Sequence, residues 1–176
     1  LWNRPLKRLI PTFLCLLAFL NACSPQYNWR EVHGNGVPFT ALLPGKSDTF
    51  TQPVELNGAQ VPMTMTATEV GEVTFAIGTA SFSDAATAQK AMAQMQIALV
   101  RNINGSPIGV RLPGKGIPGD HSVSFGATGS DRGKPMKLIG RLSTIDNRVY
   151  QVIMVGNAKQ MNDDITEMFF TSFKAN

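Results

Sequence analysis

Tight two-residue turn signals, flanked by segments in which apolar and polar residues alternate, punctuate this chain and leave few folds open to it. Asn57-Gly58 tolerates positive φ at both positions and is the strongest short-range hairpin signal. Around it, strands are expected from about Thr49 to Leu56 and from Ala59 to Thr68. The second places Val61, Met63, Met65 and Ala67 on one face and Thr64, Thr66 and Thr68 on the other. Phe39, Ala41 and Leu43 alternate in the same way before Pro44-Gly45 ends that run. Gly71-Glu72 turns the chain into a strand from Val73 to Gly78. In the second half, Ser122 to Ala127 alternates, Asp131-Arg132-Gly133 reads as a turn, and Met136 to Ile145 and Val149 to Val155 flank Asp146-Asn147. The 16 Gly and 11 Pro agree with a strand-rich chain of many turns.

Two segments switch to helical periodicity. Ala85, Ala88, Met92, Met95, Leu99 and Ile103 recur at steps of three and four, with Ser83 or Asp84 as cap. Asn104-Gly105 supplies a left-handed residue to close this helix, and Pro107 prevents its resumption. Asn162-Asp163-Asp164 opens a C-terminal helix with Ile165, Met168, Phe169 and Phe173 on one side, its acidic start matching the helix dipole.

Leu43-Pro44-Gly45-Lys46 recurs as Leu112-Pro113-Gly114-Lys115, and Pro62-Met63 as Pro135-Met136. Each half reads as several strands followed by one amphipathic helix. Duplication explains this, and so does the generic likeness of any meander followed by a helix. The expected fold class is α+β: an antiparallel sheet of about seven to eight strands, single or split into two packed sheets, with a central amphipathic helix and a C-terminal one.

The N-terminus has the three parts of an export signal. Arg4, Lys7 and Arg8 precede an apolar run from Leu9 to Leu20 that is too short to span a bilayer. Leu20-Asn21-Ala22-Cys23 then resembles the lipobox of bacterial lipoproteins, which implies lipidation of Cys23 and removal of residues 1–22. The remaining 154 residues suit one domain with a real core. Their 13 Lys and Arg nearly balance 12 Asp and Glu, so the basic pI of about 9.3 belongs to the signal. No basic run remains to neutralise several phosphates together, so no nucleic-acid partner is expected. Cys15 would leave with the signal and Cys23 would carry lipid, which excludes a disulfide. Residues 23–36 are polar and punctuated by proline, which reads as a flexible tether, with 37–176 as a single α+β domain. Tyr27 and Trp29 are expected to close over the domain edge. By the same resemblance, Ser24 after the lipidated residue implies sorting to the outer membrane, facing the periplasm.

The order of elements, the strand Tyr150-Gln151-Val152-Ile153-Met154-Val155-Gly156 and the ending Phe169-Phe170-Thr171-Ser172-Phe173-Lys174 resemble the PsbP-like fold. Phe39-Thr40-Ala41-Leu42-Leu43-Pro44-Gly45-Lys46 is similar to the opening strand of small envelope lipoproteins of that shape. The likeness covers most of residues 37–174 and is one of pattern. It implies a binding or accessory module for an envelope protein or small ligand more than an enzyme.

Chemistry-bearing residues are few. Gly45-Lys46-Ser47 ends like a phosphate-binding loop, but such a loop needs glycine where Thr40 stands. Asp120-His121 is the one pair on which an envelope hydrolase could rest, yet adjacent strand residues point to opposite faces. A purely structural periplasmic module is a third reading. Two histidines and no free thiol give no expected metal site, and no cofactor is expected. The eight methionines (Met63, Met65, Met92, Met95, Met136, Met154, Met161, Met168) suggest copper, but core filling accounts for them. Arg101, Arg111, Lys115, Arg132, Lys134, Lys137, Arg141 and Arg148 concentrate cations in the second half. Of these Arg132, Lys134, Lys137, Arg141 and Arg148 form the candidate face for an anionic ligand, against the plainer reading of a solvated sheet surface.

Overall fold

The hairpin turns expected from sequence form where the backbone needs them. In a computed structural model describing residues 26–56, 58–114 and 121–176, strands β3 (Asp48–Leu56) and β4 (Ala59–Val70) pair in register from Leu56↔Ala59 to Asp48↔Ala67. Gly58 has φ 76°, a value that a Cβ would disfavour. The prolines Pro53 and Pro62 face each other in this ladder, Pro53 on the sheet's edge strand and Pro62 just beyond the pairing of β4 with β5 (Val73–Ser81). Neither position needs an outward-facing amide. Strands β7 (His121–Asp131), β8 (Lys134–Ile145) and β9 (Arg148–Gly156) make a second meander, with Arg132 and Gly133 at φ 48° and 79° in its first turn.

The two meanders join through β5 and β9, and a short β6 (Ser106–Ile108) completes a seven-stranded antiparallel sheet in the order β3-β4-β5-β9-β8-β7-β6. A three-stranded sheet, β1 (Arg30–His33), β2 (Phe39–Leu43) and β10 (Lys174–Ala175), packs on one face of it beside α2 (Asp163–Ser172). The opposite face carries α1 (Ala85–Asn102). The protein is α+β.

The strand order obeys an approximate two-fold axis normal to the sheet between β5 and β9. Such an axis would carry α1 onto its own face. Instead α1 packs with Ala76, Ala80, Leu138 and Ile153, whereas α2 packs with Phe75, Ile77, Val152 and Met154, which point the other way. The repetition therefore extends to the strands and stops at the helices.

Asp84 caps α1 by accepting from the Thr87 amide at 2.8 Å, and Asn162 caps α2 by accepting from the Ile165 amide at 3.0 Å. At the far end of α1, Asn104 (φ 48°) lets the Gly105 amide donate to Val100 O and the Asn104 amide to Arg101 O, a Schellman closure.

Two sequence expectations need correction. The tether does not extend to residue 36: Arg30–His33 pairs with β2, Trp29 meets Phe75 edge-on at 6.3 Å, and Asn28 donates to Pro44 O at 3.0 Å. Four residues with three polar side chains carry too little periodicity to read as a strand, and β2 supplies the pairing. Met168 is 44% exposed, because Ile165, Phe169 and Phe170 form the buried side of α2. Residues 1–25, with Cys23 and the export signal, lie outside the described residues, as do Asn57, Lys115 and Asp120. Among the described residues no helix is long and apolar enough to cross a membrane.

Candidate functional site

Helix α1 is too narrow to cover its face of the sheet. It lies across β7, β8 and β9, and the part of the face built from β3 and β4 stays open beside it. The result is a groove of about 310 Å³. Its strand wall comes from Phe50, Val54 and Leu56 on β3 and Met63 and Met65 on β4, which share one face by the two-residue period. Its helix wall comes from Met95, Ala98, Leu99 and Asn102, spaced at three and four residues. Phe50 stands at the mouth, 49% exposed.

The floor is Gln151 and Ile153 of β9. Gln151 lies between Gly78 on β5 and Leu142 on β8. Gly78 is what lets the methionines fold over the sheet: a Cβ there would collide with Met63 Cε and lie 2.7 Å from Met65 Sδ. Gln151 is only 4% exposed, and its amide makes no hydrogen bond to any described residue. Most other buried polar groups are paired. Thr66 Oγ1 is 3.0 Å from Thr49 Oγ1, the Thr68 hydroxyl donates to Lys46 O at 2.9 Å, and the Ser143 hydroxyl meets that of Ser122 at 2.8 Å. Thr144 Oγ1 is also buried without a partner among the described residues, and it does not line this groove. The Gln151 amide is not sealed in, since Thr144 Oγ1 is the one fully enclosed unpaired side-chain polar atom among the described residues; it meets whatever fills the open groove.

Three other hollows among the described residues are comparable in volume and lack such a group; in one, about 390 Å³ beside Lys46 and Glu69, the buried Thr68 hydroxyl is already paired with Lys46 O. A second, about 400 Å³, lies on the other side of α1 between Ile97, Val100 and Pro107. The third, about 390 Å³, sets Arg111 against Asp163 and Glu167 at the start of α2, so its charges oppose one another.

The cations singled out from sequence do not share one surface. Arg132 is exposed in the β7–β8 turn, and Lys134 beside it reaches Glu72 at 3.6 Å. Hydrogen bonding by Asn157, then the charge of Lys134, holds the Glu72 carboxyl below its ordinary pKa. Lys137 is half-buried on β8. Arg148 sits at the opposite end of the sheet, 3.7 Å from Asp146. Arg141 is 5% exposed: Nη2 donates to Pro113 O at 3.1 Å, and the guanidinium lies 5.9 Å from the centre of the Phe170 ring. Burial lowers its pKa, and it clasps the chain after β6 instead of facing solvent. Arg101 and Arg111 are exposed and distant in sequence from these turns, and Arg101 borders the hollow beside Ile97.

His121 begins β7 opposite Thr144, exposed and without a partner among the described residues. His33 lies 3.2 Å from Glu31 on β1. Among the described residues no three His, Cys, Asp or Glu side chains gather as metal ligands. Met63, Met65 and Met95 do converge, as walls of the groove. Gln151 was the feature missed in the sequence. Its signal was present: a lone amide inside Val149-Tyr150-Gln151-Val152-Ile153-Met154-Val155, a run apolar enough to be buried on both faces.

Compared with protein-family models, curated proteins and solved structures, the chain has no significant match.

Proposed function

We propose that this chain is a non-catalytic binding module of the bacterial envelope, anchored to a membrane through lipid on Cys23. The observation that carries the binding role is the amide of Gln151, a residue only 4% exposed, which has no hydrogen-bond partner among the described residues and lies at the floor of an open apolar groove. Apolar walls with a single polar group at depth are the usual make-up of a small-molecule site. The anchor rests on the resemblance of Leu20-Asn21-Ala22-Cys23 to a lipobox, and with it the outer-membrane, periplasm-facing location. A PsbP-like kinship belongs to the same proposal and is supported by element order alone. The role suggested is accessory: holding a ligand for, or presenting it to, another envelope component.

The anchor and the binding role have separate tests. Cys23→Ser should leave an unlipidated precursor with residues 1–22 attached, seen by intact mass; a processed, membrane-bound variant would refute the anchor. Two or more acyl chains hold a protein stably where one is marginal, so loss of the cysteine should be decisive. For binding, wild-type protein purified from envelopes should release a small organic molecule on denaturation. Ala98→Trp, which fills the groove, should not. Identical extracts from the two would sink the groove as the site.

A further inference from the structure

We propose that the groove takes a small neutral molecule with an apolar body and one amide-like group, and that the Gln151 side chain pairs with that group. This deepens the binding reading above and rests on it. Three features define the ligand. The first is the amide itself: a glutamine side chain offers one accepting oxygen and two donating hydrogens, so its complement is a group that both donates and accepts. Its neighbours cannot serve, because Gly78 has no side chain and the Met63 and Met65 thioethers over it are at best weak acceptors.

The second feature is charge. Among the described residues Glu55 is the one ionisable group on the groove, and no cation lines it. A carboxylate or phosphate head would enter without a counter-charge and beside an anion, which excludes fatty acids and phospholipid headgroups. The third is size. A volume of about 310 Å³ is at the small end for ligand sites, suited to a substituted ring or a short branched chain rather than a peptide helix. Flexible methionines on two walls let the apolar body vary while the amide contact fixes its orientation.

The test uses the lipidated protein in lipid nanodiscs with methyl-labelled methionines, titrated with N-methylbenzamide and, separately, benzoate. The methyl signals of Met63, Met65 and Met95 should shift and saturate with the amide, while the exposed Met168 stays still. Gln151→Leu should weaken that binding about tenfold, the loss of one net hydrogen bond. Gln151→Met, closer in shape, should do the same, which guards against misfolding in either variant. Benzoate should bind at least tenfold more weakly than the amide in wild type. Equal binding of benzoate, equal binding by the Gln151 variants, or no shift at the three methyls would each overturn the proposal. So would shifts of these methyls with silver(I) and none with the amide, which would mark a thioether metal site. If N-methylbenzamide fails while envelope extracts still differ between wild type and Ala98→Trp, the ligand chemistry is wrong and the binding reading stands. If both fail, both fall.

Discussion

The two faces of the seven-stranded sheet are closed by different means. On the face beneath α2 and the small sheet, rings interlock: Phe75 meets Phe169 edge-on at 5.4 Å, Tyr150 meets Phe173 at 5.9 Å, and Phe39 stacks on Phe173 at 5.7 Å. These contacts tie the first strands, the sheet centre and the C-terminus together, and the Tyr150 hydroxyl donates to Pro38 O at 3.2 Å. On the face beneath α1, Ala76, Ala80, Ala88, Ala91 and methionines pack with Phe125, Leu138, Leu142 and Ile153, and no two rings of the described residues meet there. Alanines let the helix lie close over half of that face, and methionines leave the other half adaptable. Rigid rings give one sealed arrangement; small and flexible residues give a cover with a gap beside it. The groove is the consequence of that second choice.

Core truncations on the two faces measure this difference. Phe169 is fully buried among rings that cannot collapse into the space it leaves, so Phe169→Ala should cost about 3–5 kcal/mol. Met95 borders the open groove and leaves a hollow that solvent already reaches, so Met95→Ala should cost only about 2 kcal/mol, the low end for such truncations. Equilibrium urea unfolding of both variants gives the comparison. Equal losses would mean that the α1 face is packed as tightly as the other.

The sequence carried the sealed face better than the open one. Turn dipeptides and period-two runs located the long strands, since those signals act within a few residues. The cap and apolar stripe located α1 within a residue of Ala85–Asn102. What stayed hidden depends on contacts between distant segments. Arg30–His33, Ser106–Ile108 and Lys174–Ala175 are strands only because β2 and β7 offer them edges. Which face each helix covers is likewise set by packing between distant segments and not by periodicity. The groove was illegible for the same reason. Met63, Met65 and Met95 look like core filler in one dimension, and only the offset of α1 from β3 and β4 leaves their tips on an open wall. Arg141 shows the converse. It read as part of a charged surface, but β8 is buried on both faces from Leu138 to Thr144, a consequence of its central place between β7 and β9 that the charge pattern does not show.

Gln151→Leu sharpens the comparison in the opposite direction from a truncation. Removing an amide that has no partner among the described residues and meets only the groove, and replacing it with an apolar side chain of similar size, should raise stability by about 1 kcal/mol. The gain should come with the loss of amide binding, the usual exchange where a polar group is kept for function. Thermal unfolding reads the sign. A destabilised variant would mean that the Gln151 amide is satisfied within the fold, and the α1 face would then be as complete as its opposite.

The smallest effect separates the helices themselves. The α1 cap is Asp84 and the α2 cap is Asn162, so only the first can titrate. The hydrogen bond from the Thr87 amide, then those from the Ser83 and Thr87 hydroxyls, hold the Asp84 carboxyl below its ordinary pKa of 3.8. A carboxyl lowered in the folded state contributes stability that is fully present above its unfolded pKa and is lost as pH falls through the folded value. Acidification below about pH 4 should therefore loosen the first turn of α1 while the Asn162 cap on α2 persists. Amide-exchange protection at Thr87 should fall relative to that at Ile165, each amide being the one its cap holds. Asp84→Asn should keep the cap and remove the pH dependence. If protection at Thr87 and Ile165 falls in parallel in both proteins, acid acts on the whole domain and the two helices are not independently held.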